Sequence, residues 1–274
     1  MSNDGQSPLR KTFSAGGSAL SNAAAEGWGG VSVIHDLQVE RLSRWLSTEP
    51  GLADGSRGVL DVGCGSGFAQ ASIEAAGLTY FGCDMGLHGP ETSAQLFWCD
   101  GTRLAVRSDA LAGVICLEVA EHVADVDALL REIQRVLRPG GAAFVSMPFA
   151  QPLHEEPRDF WRWTEHGLRK VFVDVGFTDV AVEPRGSLLS IAQHSLGTVV
   201  VGIASRLGLS DRWAVRIGRW TAGVLGRMPL FRRPLRVFPH GYWVTCRKRA
   251  TAIPNSSSRG LNESPAPRTP GPSD

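Results

Sequence analysis

Apolar residues in this chain gather into short unbroken runs, separated by stretches in which they recur every three or four positions. The runs Gly58–Val62, Leu78–Cys83, Gln95–Cys99, Ala112–Leu117, Ala142–Met147 and Thr178–Val182 have strand length. Val126, Leu129, Leu130, Ile133, Val136 and Leu137 share a helical stripe, with Asp125 as N-cap and Pro139-Gly140 as the stop. Leu168, Val171, Phe172 and Val175 repeat that pattern behind Thr164 and end at Gly176. Alternating strand and helix predict an α/β fold, a parallel sheet with helices on both faces. No internal repeat is present. Residues 1–30, rich in Ser, Ala, Gly and Asn, and residues 251–274, rich in Pro and Ser, cannot bury enough surface to offset the entropy of ordering. Both are expected to be disordered tails, and nothing in the first thirty residues reads as a secretory leader.

Composition adds two constraints. Five cysteines with no C-x-x-C pair argue against a disulfide framework and a cysteine-bound zinc, and suit a reducing, cytoplasmic compartment. The net charge of +1 is a cancellation. Residues 185–249 hold twelve Arg/Lys and one acid, Asp211, a local +11; the remaining sixteen cations and 26 acids give −10.

The most informative stretch is Val59-Leu-Asp61-Val-Gly63-Cys64-Gly65-Ser-Gly67-Phe68, an apolar run entering a glycine turn that opens into a helix. Glycines let the chain turn tightly and let a ligand approach the backbone amides. Asp84 ends the second predicted strand, where a carboxylate can accept both hydrogen bonds of a ribose diol. Asp100 ends the third, before Gly101, where it can meet an adenine amino group. A nicotinamide-binding loop fits less well, because the spacing is G-x-G-x-G and an aspartate sits inside the loop.

With Val114-Ile-Cys-Leu-Glu-Val-Ala-Glu-His-Val123 and Leu137-Arg-Pro-Gly-Gly141, these motifs resemble class I S-adenosylmethionine-dependent methyltransferases, of the group with a Glu-Val-x-Glu-His-Val fourth strand. The resemblance implies a Rossmann-like seven-stranded sheet, mostly parallel with an antiparallel last strand. It places the cofactor domain at 31–184 and 240–250. It further implies that Asp61, Gly63, Cys64, Gly65 and Gly67 hold the methionine end of S-adenosylmethionine. Asp84 then binds the ribose, Met85 packs on adenine, Asp100 and Gly101 meet the adenine edge, and Leu117 contacts the methionine portion.

Methyl transfer to a hydroxyl needs a base. The loop Pro152-Leu-His154-Glu-Glu-Pro-Arg-Asp159-Phe-Trp-Arg162-Trp-Thr164 supplies His154 as the preferred one, with Asp159 or Glu155 as orienter and His122 as a further catalytic candidate. The opposing reading makes Asp159 and Arg162 a structural pair. Glu118, Glu121 and His122 match an E-x-x-E-H string that binds a divalent metal in some quinone-precursor O-methyltransferases, their spacing sharing one helical face. Many relatives carry the string without a known metal, and no metal is assigned.

Roughly 55 residues (185–239) break the family pattern before the last strand. Gly186–Ser205 is uncharged but too rich in Gly, Ser and polar residues to predict a membrane span. Beyond it, Arg212, Arg216, Arg219 and Arg227 line one arc of a helix, beside Trp213, Ile217, Trp220, Val224 and Met228. Arginines flanked by tryptophans suit an interfacial helix on an anionic membrane through 186–238; a helical cap on the core is the competing reading. The expectation is an O-methyltransferase for a small-molecule, saccharide or lipid-linked acceptor, cytoplasmic and peripheral to the membrane. A non-catalytic cofactor-binding regulator and an RNA-modifying enzyme rank behind it. The chain has no Asn/Asp-Pro-Pro-aromatic motif, which disfavours DNA base methylation.

Overall fold

Hydrophobic runs pair into one seven-stranded sheet in the computed structural model, which describes residues 33–53, 58–86, 95–192 and 238–250, with isolated positions between 195 and 229. The two expected tails and most of the basic insertion lie outside the described residues. The strands are β1 (Gly58–Val62), β2 (Thr79–Asp84), β3 (Leu96–Trp98), β4 (Leu111–Leu117), β5 (Leu137–Pro148), β6 (Phe177–Arg185) and β7 (Gly241–Lys248). Their order is β3-β2-β1-β4-β5-β7-β6, with β7 antiparallel to both neighbours and the other pairings parallel.

Helices cover both faces: α1 (Val33–Thr48) and α2 (Gln70–Ala75) on one, α3 (Val126–Val136) and α4 (Glu165–Val175) on the other. Side chains alternate across a strand. Leu60 and Val62 therefore pack under α3 and α4, with Leu129, Leu130, Ile133 and Phe172. Val59 joins Trp45, Leu42 and Ile73 on the α1–α2 side. Asp61 shares that parity and meets Tyr80 there. Each large apolar side chain so buried contributes about 1.5–3 kcal/mol, which is why the strands read as unbroken apolar runs.

Local signals place the helix ends. Asp125 accepts from Ala128 N–H at 2.9 Å and Thr164 from Gly167 N–H at 3.1 Å, and Gly176 closes α4. Two expectations need correction. Leu137 does not close the helical stripe: α3 ends at Val136, with Pro139-Gly140 just beyond as expected, and Leu137 already opens β5, which carries both residues. Proline's missing N–H is tolerated there, at a register shift before the ladder resumes at Gly113↔Ala142.

Arg185 is not the first residue of a solvated basic insertion. It ends β6 with 1% of its surface exposed and ion-pairs with Glu118 at 2.8 Å. Arg247 pairs with Glu49 at 2.7 Å and Lys248 with Asp109 at 2.6 Å. Three of the twelve cations counted in that segment are thus neutralised within the sheet. No helix among the described residues is long and apolar enough to cross a membrane.

Candidate active site

Parallel strands end together, so the loops after β1, β2, β3, β4 and β5 converge at their carboxyl edge, where open α/β sheets bind ligands. After β1, the N–H groups of Gly63 and Cys64 donate to Cys83 O at 2.8 and 3.1 Å, tying the turn to β2. Gly63 has φ +71°, and a Cβ on it would overlap the Val119 side chain. Gly65 has φ +50°, and a Cβ there would meet nothing within 4 Å. One glycine is required by packing, while the other faces open space.

Asp84 holds the loop from β2. Its Oδ2 accepts from Gly65 N–H at 2.9 Å and its Oδ1 from Gly86 N–H at 2.6 Å. A carboxylate offers about four lone-pair positions, so two remain for a ribose diol. Met85 is 46% exposed beside Trp98, which is 54% exposed and donates from Nε1 to Met85 O at 3.1 Å. Trp98 thus offers a second exposed apolar surface beside Met85, absent from the sequence reading because it lies inside a strand-like run. Asp100 uses Oδ1 on the N–H and hydroxyl of Thr102, at 2.9 and 2.8 Å. Gly101 lies against Leu129, whose Cδ1 would stand 2.9 Å from a Cβ. Leu117 is buried at the tip of β4.

Asp61 is 2% exposed and accepts from the Tyr80 hydroxyl at 3.4 Å. Burial pushes its carboxyl up to about 7, partly offset by that hydrogen bond. The buried Cys64 thiol is pushed up to about 12 by burial and by the charges of Asp61 and Asp84, so it stays protonated at neutral pH. The open space at Gly65, the free positions on Asp84 and the exposed Met85–Trp98 wall fit a nucleoside-bearing cofactor.

The E-x-x-E-H string does not lie on one helical face. Glu118 adopts φ +55°, and only Ala120–His122 forms a 3₁₀ turn. Glu118 turns instead toward a buried network the sequence did not reveal. Its Oε1 accepts from Ser146 Oγ at 2.7 Å, its Oε2 from Arg185 at 2.8 Å, and Gln38 joins both Ser146 and Arg185. Burial opposes ionisation of Glu118, but the Arg185 charge and these hydrogen bonds keep its carboxyl below the usual range.

Glu121 is fully buried, and neither oxygen has a hydrogen-bond partner among the described residues. Burial and the nearby Glu118 charge raise its carboxyl well above the usual range. Two imidazoles face it. His122 Nε2 lies 3.8 Å and His154 Nε2 4.0 Å from Glu121 Oε1, and the rings meet edge to face at 4.7 Å.

His154 reaches this point because its loop is stapled down. Phe160 N–H donates to Glu121 O at 2.8 Å and Trp161 Nε1 to Val123 O at 3.0 Å. Asp159 serves both proposed roles. Arg162 grips it at 2.6 and 2.8 Å, while its Oδ2 accepts from the His154 backbone N–H at 3.0 Å and lies 3.3 Å from His154 Nδ1. Burial alone would raise the Asp159 carboxyl; the Arg162 and His154 interactions bring it down to about 2. Glu155 stands 3.8 Å from His122 Nε2, on the side of that ring and not of His154, while Arg158 O at 2.7 Å from Nδ1 orients the ring.

The sequence matches a methyltransferase-domain family over residues 33–182. Among curated proteins, the ubiquinone biosynthesis O-methyltransferase of Pseudomonas fluorescens is 36% identical over 125 residues, covering 41% of this chain and 52% of that protein. That of Aeromonas salmonicida is 33% identical over 124 residues, covering 41% and 51%. The chain thus spans about half the length of the curated relatives it matches. Solved structures share the fold at low identity. A methyltransferase from Archaeoglobus fulgidus superposes with TM-score 0.50 at 19% identity, covering 78% of this chain and 94% of that one. One from Thermotoga maritima gives 0.50 at 11%, covering 84% and 100%. With the family match spanning more than half of its residues and the strand order in place, this chain belongs to the class I methyltransferases, whose cofactor is S-adenosylmethionine.

Proposed function

We propose that the chain methylates a hydroxyl oxygen of a small-molecule, saccharide or lipid-linked acceptor at an anionic membrane surface. The observation that carries the reading is His154. Its Nδ1 faces two acceptors, Pro152 O at 3.1 Å and Asp159 Oδ2 at 3.3 Å, which places the ring proton there, and its Nε2 lone pair faces the Gln151 side-chain amide at 3.4 Å, a weak contact that an acceptor hydroxyl would replace. The names of the curated relatives, O-methyltransferases, support the same acceptor atom.

S-adenosylmethionine supplies a methyl group on a positively charged sulfur. Asp61 and the backbone of Gly63, Cys64, Gly65 and Gly67 hold its methionine end, with Leu117 beside it. Asp84 takes the ribose diol, Met85 covers the adenine and Asp100 with Gly101 meets its edge. His154 removes the acceptor proton as the oxygen attacks in line. Leu153, Phe160 and Trp161, all exposed, form an apolar rim for the acceptor. Membrane docking falls to residues 186–238. The described positions of their apolar stripe, Trp220, Val224 and Met228, are exposed, as an interfacial helix requires.

The test supplies methyl-labelled cofactor and a membrane-lipid extract to the whole protein. The expected product is a methyl ether that H154A does not form at a comparable rate. Label on nitrogen, or undiminished H154A turnover, overturns the acceptor atom or the base respectively. Co-sedimentation with anionic liposomes at low salt, weakened by salt and by deletion of 186–238, tests the location; no binding at low salt refutes it.

A further inference from the structure

We infer that Arg185 is a positioning residue for cofactor binding: it holds Glu118 in a left-handed backbone conformation, and so fixes the wall of the pocket at the tip of β4, facing the Gly63 turn. Arg185 is 1% exposed and acts only through the residues it grips. The starting observation is a backbone outlier. Glu118 has φ +55° directly after β4, a region that disfavours an L-residue by about 5–30-fold. Such a conformation persists only where its surroundings over-determine it. Here they do. Glu118 N–H donates to Ser146 O at 3.2 Å, its Oε1 accepts from Ser146 Oγ at 2.7 Å and its Oε2 from Arg185 Nη2 at 2.8 Å. Both side-chain donors are fixed in turn, because Gln38 donates to Ser146 Oγ at 3.2 Å and accepts from Arg185 Nη1.

The bend at Glu118 decides where the chain goes on leaving the sheet. Val62 stands opposite Cys116 in the β1–β4 ladder, so the next residues, Gly63 and Leu117, lead off the two strands side by side. After the bend, Val119 packs onto the core and fills the space beside Gly63, so that a Cβ there would overlap its methyls. The 3₁₀ turn Ala120–His122 starts from the same bend, with His122 N–H donating to Val119 O at 2.9 Å. Glu118 keeps 28% of its side chain exposed. Without Arg185 its carboxylate gains hydration by turning outward, and the backbone gains by leaving the left-handed region. Ser146 alone opposes both.

The effect on the cofactor is a population shift. Apparent affinity falls in proportion to the fraction of molecules in the competent conformation, so release of Glu118 weakens binding by up to about 5–30-fold. The inference rests on the reading that the cofactor lies between the Gly63–Gly67 turn and the tip of β4. It is independent of the acceptor atom and of His154 as base.

The test measures S-adenosylhomocysteine binding to the whole protein by calorimetry, with folding checked by urea unfolding. Arg185→Met should bind about tenfold more weakly than wild type. Adding Glu118→Gly to it should restore affinity to within about threefold, because glycine takes positive φ as readily as negative and neither charge is left without its partner. A purely structural ion pair predicts no such rescue. Should Arg185→Met alone not fold, two charge-free doubles decide: Arg185→Met with Glu118→Ala should bind about tenfold more weakly than Arg185→Met with Glu118→Gly, and equal affinities overturn the inference. Arg185→Met at wild-type affinity, or no rescue by glycine, overturns it as well. Gly65→Ala at wild-type affinity removes the cofactor cradle and this inference with it, whereas a weakened Gly65→Ala beside an unaffected Arg185→Met overturns the inference alone.

Discussion

Alanine at Gly63 and alanine at Gly65 perturb the same loop in different ways. Both residues have positive φ, +71° and +50°, and an L-residue there costs about 1–2 kcal/mol. At Gly63 the new methyl must also displace Val119, whose Cγ1 would lie 3.0 Å away and Cγ2 nearer still. Overpacking of that kind costs about 1–3 kcal/mol, so Gly63→Ala should lose about 2–5 kcal/mol in total. At Gly65 nothing stands within 4 Å, so the backbone term of about 1–2 kcal/mol is the whole stability cost. In the proposed cofactor site the ligand would occupy that open space beside Gly65. Gly65→Ala should therefore weaken S-adenosylhomocysteine binding at least tenfold, about 1.4 kcal/mol, out of proportion to its stability loss, whereas Gly63→Ala should show mainly the loss of stability. Urea unfolding without ligand gives the first quantity and calorimetry the second. If Gly65→Ala binds with wild-type affinity, the loop is not the cofactor cradle.

Other perturbations have comparably direct outcomes. Arg185→Ala removes a fully buried cation and leaves the partly exposed Glu118 without its partner, and should cost about 3 kcal/mol in urea unfolding; a loss below about 1 kcal/mol would show that the network carries little. Asp61 has a folded value of about 7 against roughly 3.9 unfolded. Its ionisation therefore opposes folding: the penalty is absent below pH 4, grows between pH 4 and 7, and is complete above, with a ceiling of about 4 kcal/mol. Asp61→Asn should flatten that decline in ligand-free protein, and stability–pH curves parallel to wild type would refute it. Thr164→Ala removes the cap on Gly167 N–H and should cost about 1 kcal/mol with cofactor affinity unchanged.

The strand-end loops of the proposed cofactor half were legible because their signals are local. The Gly63–Gly67 turn, Asp84 and Asp100 sit at fixed offsets from apolar runs, and Asp125 and Thr164 cap helices within three residues of themselves. What was not legible depends on distant pairing. Gln38 lies on α1, a helix with no strong apolar stripe, and reaches Ser146 and Arg185 across more than 100 residues. Arg185 looked like surface charge because a strand terminus and a loop start read alike in sequence. Glu121 was visible in its motif, but its convergence with His154 needed the loop after β5 to fold back.

The junction at Arg185 has a topological consequence. His240 N–H donates to Arg185 O at 2.8 Å, and Arg185 stands opposite Gly241 in the antiparallel ladder. The chain thus leaves and re-enters the sheet at one rung, so whatever lies between behaves as a hairpin loop whatever its length. Replacing about 55 residues with a four-residue turn would recover about 2 kcal/mol of loop-closure entropy and preserve the strand register. Such an exchangeable segment gives evolution a place to rebuild acceptor choice or location while the cofactor machinery stays fixed.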